Sequence, residues 1–408
     1  MSSRALALIL ALLLPSSVFA EASSSDTTLS GAQIAESTYG FLQKLVDEDM
    51  PAVQSYDCKD GGCIPVDESR YTPQLLAWSL LADSSMQKTK PNDLYLNRIN
   101  TKMDYLMKAC YDEVNNCRGY EIYVNDATCI ASIMQVYDAY SITKKPEHRD
   151  FLVGVGSCST GATMSLPMIE AIYSRESALI SQIHPNVKKV PYYSSRARLR
   201  LGWAESRLPQ SLTHYQDGGF EFKQSACWVQ LAKLELYKAT GNESYLSQVK
   251  EFFGGAKLNE HLSGDPSLSL SVQDIGSCSE SLLNLYDITK DSAYKREAHS
   301  LSQYLLDRYW DSPYNGVVSA DGGFFAVPSN VQENRKLISD NAYIIYLFNR
   351  QAGDSFKVAS VKAPSTTVSP ASAAPSPLSG VGFIIIVIIT IAILYFLSKS
   401  NVYKKGGG

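Results

Sequence analysis

Two short segments place carboxylates, paired glycines and aromatic rings at the same spacing: Asp217-Gly-Gly-Phe-Glu-Phe222 and Asp321-Gly-Gly-Phe-Phe325. Cys117-Arg-Gly-Tyr-Glu-Ile122 and Asp60-Gly-Gly-Cys-Ile64 are looser copies. Glycines permit positive φ in a tight turn, and the aromatic that follows can then pack inward. Two carboxyls on either side of a glycosidic bond can hydrolyse it when one has its pKa raised and acts as the acid. Aromatic faces beside them can stack on sugar rings. Other chemistries lack their residues. There is no phosphate loop, no His-Glu-x-x-His and no Gly-x-Ser-x-Gly, and Gly154-Val-Gly156 with Gly161 misses the dinucleotide spacing. The five histidines form no ligand cluster and the cysteine spacings fit no zinc module, so neither metal nor cofactor is expected.

The elements that must hold those loops are helices. Apolar residues recur at helical spacing nearly throughout, and strand-like alternation is scarce. Helices are expected near residues 32–48, 70–84, 92–110, 125–142, 146–154, 160–183, 192–208, 223–240, 243–254, 270–289, 291–310 and 338–352. Their ends repeat. Val136-Tyr-Asp-Ala-Tyr-Ser-Ile-Thr-Lys144, Leu236-Tyr-Lys-Ala-Thr-Gly-Asn242 and Leu285-Tyr-Asp-Ile-Thr-Lys-Asp291 each finish an apolar helix with an aromatic and then turn at a threonine. The unit is therefore an amphipathic helix, a glycine-aromatic loop, an apolar helix and a threonine turn. About six such pairs, without polar caps at either end, favour a closed ring with the apolar helices inside. The last inner helix, near 342–348, is apolar enough to need covering by the first pair.

The chain's two ends carry targeting signals. Arg4, an apolar run to Leu14 and Ala20 read as a signal peptide over residues 1–20; an uncleaved anchor is the alternative. Residues 381–398 are apolar and, with the flanking 378–380, long enough to span a bilayer core of about 30 Å. Lysines 399, 404 and 405 follow them, which places the tail 399–408 in the cytoplasm. Residues 359–380 have the Ser, Thr, Pro and Ala composition of an unpacked stalk. The expected protein is a single-pass type I membrane protein with its body, 30–355, on the extracytoplasmic side and its lipid contact through the C-terminal helix.

An exported body agrees with eight cysteines, an even number. Cys58–Cys63 and Cys110–Cys117 each flank a loop and are expected as local bridges. The other four are paired as Cys129–Cys158 and Cys227–Cys278. Asn242-Glu-Ser244 is one candidate glycosylation site, although its asparagine also suits the turn it occupies. The net charge of −4 and the absence of a basic block exclude a nucleic-acid surface. Arg196-Ala-Arg198-Leu-Arg200 reads as a solvated helix face.

Asp340-Asn-Ala-Tyr before an apolar helix, and Leu-Tyr-x-x-Thr-Gly-Asn-x-x-Tyr-Leu at 236–246, resemble the (α/α)6 toroids of the six-hairpin glycosidase superfamily. That group includes the N-acylglucosamine 2-epimerase-like proteins and the unsaturated glucuronyl hydrolases. The resemblance covers about 32–354 and implies an all-α (α/α)6 toroid of about six helical hairpins, beside the C-terminal transmembrane helix. It also implies that the loops entering the inner helices crowd one mouth. Asp340, Asp217, Asp321 and Glu221 are then the candidate catalytic carboxyls. Phe220, Phe324, Trp228, Tyr120, Glu121 and Asp126 are candidates for holding a carbohydrate, with Trp203 as a further ring.

Each has a plainer reading. Asp217 and Asp321 can close turns, Asp340 can cap its helix, and Glu121 and Glu221 can pair with a neighbouring helix. Trp228 and Trp203 can belong to the core. The function expected is a membrane-anchored, glycoside hydrolase-like protein acting on envelope or extracellular glycans. The alternative is a surface protein that binds a glycan or a protein without turnover.

Overall fold

A computed structural model describes residues 27–47, 50–51, 55–66, 73–110, 133–158, 167–210, 213–217, 220–223, 225–256, 258, 271–319 and 335–358. Contacts group the chain into residues 1–361 and 362–408, and the second unit lies outside the described residues. So do residues 1–20, 359–380, the expected membrane span 381–398 and the tail. Among the described residues no helix is long and apolar enough to cross a membrane.

The described residues contain twelve α-helices, each overlapping an expected one. Six form an outer layer: α1 (Gly31–Leu45), α3 (Asp93–Ala109), α5 (Pro146–Cys158), α7 (Val190–Arg207), α9 (Glu243–Ala256) and α11 (Ser292–Tyr309). Each is followed by an inner helix: α2 (Pro73–Thr89), α4 (Ile133–Thr143), α6 (Pro167–Ile183), α8 (Ala226–Thr240), α10 (Val272–Thr289) and α12 (Ile338–Asn349). Burial separates the layers as the patterning predicts. α11 buries one stripe, Ala298, Leu301, Ser302, Leu305, Leu306 and Tyr309, whereas α10 is buried continuously from Val272 to Leu285.

Each inner helix packs on the next, α2 on α4, α4 on α6, α6 on α8, α8 on α10 and α10 on α12, and α12 returns to pack on α1 and α2. The ring is closed. Two pairings stitch the seam. Strand β1 (Thr27–Ser30), before the first helix, pairs antiparallel with β11 (Ser355–Val358), after the last, so that Thr27 opposes Val358. On the other rim β10 (Arg335–Leu337) pairs with β4 (Ser55–Lys59), which pairs with β5 (Gly62–Pro65). The start of α1 sits hard against the end of α12: Gly31 N–H donates to the Asp354 carbonyl at 2.9 Å. A Cβ on Gly31 would lie 2.3 Å from the Gln351 carbonyl oxygen and 2.6 Å from that of Phe348. Backbone cannot yield as a side-chain tip can. Gly31→Ala is expected to cost about 2–3 kcal/mol, read as a lower urea midpoint; an unchanged midpoint would mean the seam is slack.

The repeated turn has a physical basis. Thr240 and Thr289 each donate their hydroxyl to the carbonyl four residues back, Leu236 at 2.6 Å and Leu285 at 2.7 Å. Each also accepts from the N–H two residues on, that of Asn242 and that of Asp291. Gly241 and Lys290 take left-handed φ and donate to the carbonyls of Tyr237 and Tyr286. The Asn242 and Asp291 side chains then accept from the N–H of Ser244 and Ala293, opening the next helix. Asn242 is exposed as well as capping.

The connectors corrected one expectation. Among the described residues, those entering α2, α8 and α12 hold short β-hairpins: β2 (Val46–Asp47) with β3 (Met50–Pro51), β4 with β5, β6 (Thr213–Asp217) with β7 (Phe220–Lys223), and β8 (Trp310–Asp311) with β9 (Gly316–Val317). Runs of two to five residues are too short to show alternation in sequence. In the β4–β5 turn Asp60 and Gly61 carry the positive φ values, 51° and 82°, and Cys58 and Cys63 face each other in register and are bonded. Cys227–Cys278 is also formed, joining α8 to α10. Cys110 is disulfide-bonded; the Cys117, Cys129 and Cys158 side chains lie outside the described residues.

Candidate functional site

Helices that alternate in direction bring the described parts of the outer-to-inner connectors to one rim of the ring, beside the N-terminal turns of the inner helices. At that rim α12 starts on Leu337, which makes no side-chain cap, and Asp340 is its third residue. The capping reading of Asp340 is therefore corrected. Its carboxylate reaches sideways, accepting from Gln273 Nε2 of α10 at 2.9 Å and from the Ser319 hydroxyl. Ser319 is itself fixed by the N–H of Leu337 at 3.1 Å. Burial pushes the Asp340 carboxyl above its ordinary value; the two hydrogen bonds oppose this and Asp274 adds to it. Asp274 is engaged in a capping box with Ser271.

The other predicted carboxyls are only partly placed. Asp217 and Glu221 stand on the β6–β7 hairpin, opposite Phe220 and Gln216, and their side chains and that of Phe220 lie outside the described residues. Asp321, Phe324, Tyr120, Glu121 and Asp126 lie wholly outside them. By topology the hairpin and the first turn of α12 share a rim.

Trp228 is corrected from a sugar platform to core. It is 2% exposed and stacked on Tyr343, with ring centroids 6.3 Å apart and planes at 17°. Trp78 meets the same tyrosine edge-on at 6.0 Å. Gly276 makes room for this ring, since a Cβ there would stand 2.7 Å from Tyr343 Cε1. Three aromatics from α2, α8 and α12 thus meet in one layer. Trp203 lies under the Arg200 guanidinium, 4.9 Å away.

Below that aromatic layer is a polar centre that the sequence reading missed. Tyr343 donates to Glu280 Oε2 at 2.6 Å, Tyr346 donates to Oε1 at 3.1 Å, and Arg175 Nη2 donates to Oε1 at 2.5 Å. Burial would raise the Glu280 carboxyl, but Arg175 and the tyrosine hydroxyl outweigh it and hold the group below its ordinary value. The available signal was charged residues interrupting otherwise apolar inner helices. The arginine cluster of α7 is another correction. Arg196 and Arg200 are buried, and Arg200 pairs with Glu170 of α6 at 2.9 Å, while Arg198 alone faces solvent. Among the described residues no group of three or more His, Cys, Asp or Glu is placed to hold a metal ion.

No family model matches the sequence, and no curated protein matches it. Solved structures do match the fold. The GH76 α-mannanase of Bacteroides thetaiotaomicron is similar at TM-score 0.52 and 13% identity, over 80% of this chain and 96% of that one. An unsaturated glucuronyl hydrolase specific for heparin is similar at TM-score 0.55 and 10% identity, over 79% and 96%. A sugar epimerase from a ruminal bacterium is similar at TM-score 0.53 and 12% identity, over 79% and 99%. With identities this low the likeness establishes architecture, and the chain folds as an (α/α)6 toroid.

Proposed function

We propose that this protein is a carbohydrate-active enzyme of glycoside hydrolase type, tethered by its C-terminal apolar segment with the toroid on the extracytoplasmic side. The observation that carries the activity is Asp340: a carboxyl raised by burial on the connector rim of a toroid whose structural neighbours are mannanases, a glucuronyl hydrolase and an epimerase. A carboxyl whose pKa is raised is better suited to deliver a proton to a leaving oxygen. Asp217, Glu221 and Asp321 are the candidates for its partner. The tether is supported by the two terminal segments and by the Cys58–Cys63 and Cys227–Cys278 bridges, which persist in oxidising compartments. Protease added to intact cells should remove the toroid and leave the tail; a protected toroid would reverse the orientation.

Full-length protein should release reducing ends from at least one of a panel of mannans and uronate-containing oligosaccharides. Asp340→Asn should lower that release about a hundredfold. The competing reading, binding without turnover, is favoured by the burial of Asp340, which is 4% exposed, and glycan retention with no release by the wild type would establish it. The pH dependence gives a separate readout. A raised folded pKa means the folded chain keeps a proton that the unfolded chain loses, so stability falls as pH rises from the ordinary value of 3.8 through the folded one. Asp340→Asn stays neutral and should flatten that fall in melting temperature; an unchanged slope would place the ionisation elsewhere.

A further inference from the structure

The turn from α8 into α9 carries Asn242-Glu-Ser244, which the chemistry at the connector rim leaves unused. Residues 241–244 are all exposed, and by topology they stand on the rim opposite the connectors. Asn242 commits its side-chain oxygen to the fold: Oδ1 accepts from the Ser244 N–H at 3.1 Å, opening α9. Its backbone is held as well, the N–H donating to the Thr240 hydroxyl at 3.3 Å and the carbonyl accepting from the Tyr245 N–H at 3.2 Å. The amide nitrogen is left over. Among the described residues Nδ2 has no hydrogen-bond partner. In a planar amide whose oxygen faces the helix start, the nitrogen points to the other side, here toward solvent.

Two other asparagines cap in the same way. Asn92 accepts from the N–H of Leu94 at 2.9 Å ahead of α3, and Asn186 from that of Lys188 at 3.0 Å in the short turn before α7. Neither has a hydroxyl two residues on, so the cap needs only the backbone there. At Asn242 the serine hydroxyl is an addition to the cap, and it accepts from the exposed Gln248 amide at 3.2 Å. An exposed asparagine amide with a hydroxyl at the second position after it is the acceptor for N-glycosylation in exported chains.

We propose that Asn242 Nδ2 carries an N-linked glycan, which rests on the extracytoplasmic placement of the toroid. The donor is an oligosaccharide held on a lipid pyrophosphate. Nδ2 bonds to the anomeric carbon of the first sugar while the bond from that carbon to the pyrophosphate oxygen breaks. The electron pair leaves with the pyrophosphate, and one amide proton passes to a base of the transferring enzyme. The product keeps Oδ1, so the cap survives, and the sugars stand on the rim away from the connectors.

The test uses full-length protein purified from its own cells. Mass spectrometry of the tryptic peptide 239–250 should locate sugar mass on Asn242. Asn242→Asp and Ser244→Ala should each abolish it, and Ser244→Thr should keep it. Aspartate caps as well as asparagine, and the Ser244 backbone N–H is untouched by alanine, so both losses occur in a folded chain. A bare Asn242 in the wild type, or sugar persisting on Ser244→Ala, overturns the proposal. Protease added to intact cells tells the two levels apart. Removal of the toroid with Asn242 bare sinks the glycan alone, whereas a protected toroid with Asn242 bare sinks the orientation with it.

Discussion

Asp83→Ala should destabilise the protein by roughly 3–5 kcal/mol, whereas Asp83→Leu combined with Lys102→Met should recover most of that loss. Asp83 and Lys102 are both fully buried, 2.5 Å apart, where α2 of the inner ring meets α3 of the outer layer. Lys102 also donates to Ser79 at 2.7 Å, and Tyr39 of α1 donates to Asp83 at 2.6 Å and accepts from Arg98 at 2.8 Å. Three helices thus meet on one carboxylate. Removing it strands an ammonium group without its counter-ion away from water, and that desolvation is the main cost. Replacing both partners with apolar side chains removes the charge together with its partner, leaving mainly the Tyr39 and Ser79 hydroxyls to re-pair. Urea denaturation of the two single variants and the double variant measures the coupling. Single and double variants of equal cost would mean that packing rather than charge holds this corner.

Loss of the Cys227–Cys278 bridge should cost about 4 kcal/mol, and loss of Cys58–Cys63 only about 2 kcal/mol. The two differ in what they close. The first spans 51 residues and ties two adjacent inner helices, while the second spans 5 and closes a hairpin. A cross-link restricts the unfolded chain more when the loop it closes is longer. Double alanine variants of each pair, compared by denaturant midpoint in otherwise identical protein, test the order. Equal losses would show that native packing around the sulfurs outweighs chain restriction.

The helices were legible because each inner and outer stretch keeps its period for three turns or more, as in Tyr71–Leu81 and Leu94–Met107. The ring was legible because Ala342–Phe348 needs covering on every side, and closure supplies it. The Thr240 and Thr289 turns were visible as repeats because the hydroxyl, the left-handed residue and the capping side chain must fall at fixed offsets. Contacts between distant helices were not legible. Asp340 looked like a cap because it precedes an apolar run, but the helix begins two residues earlier and the carboxylate turns to Gln273, 67 residues away in the chain. Arg200 looked solvated within a basic cluster, and only the fold shows that Glu170 of the preceding helix receives it. The polar centre at Glu280 stayed hidden for the same reason, since α6, α10 and α12 each give it only one or two side chains and no single segment carries a motif.

The β1–β11 seam has a consequence for how the molecule can be cut. Thr27 and Val358 oppose each other in one ladder, so a hairpin-length linker of about two to five residues would join them without moving a helix. New termini opened at an exposed threonine turn, such as the one at Gly241, would then give a circularly permuted chain with the same twelve helices in rotated order. The toroid is in that sense a necklace whose clasp can be moved to another link.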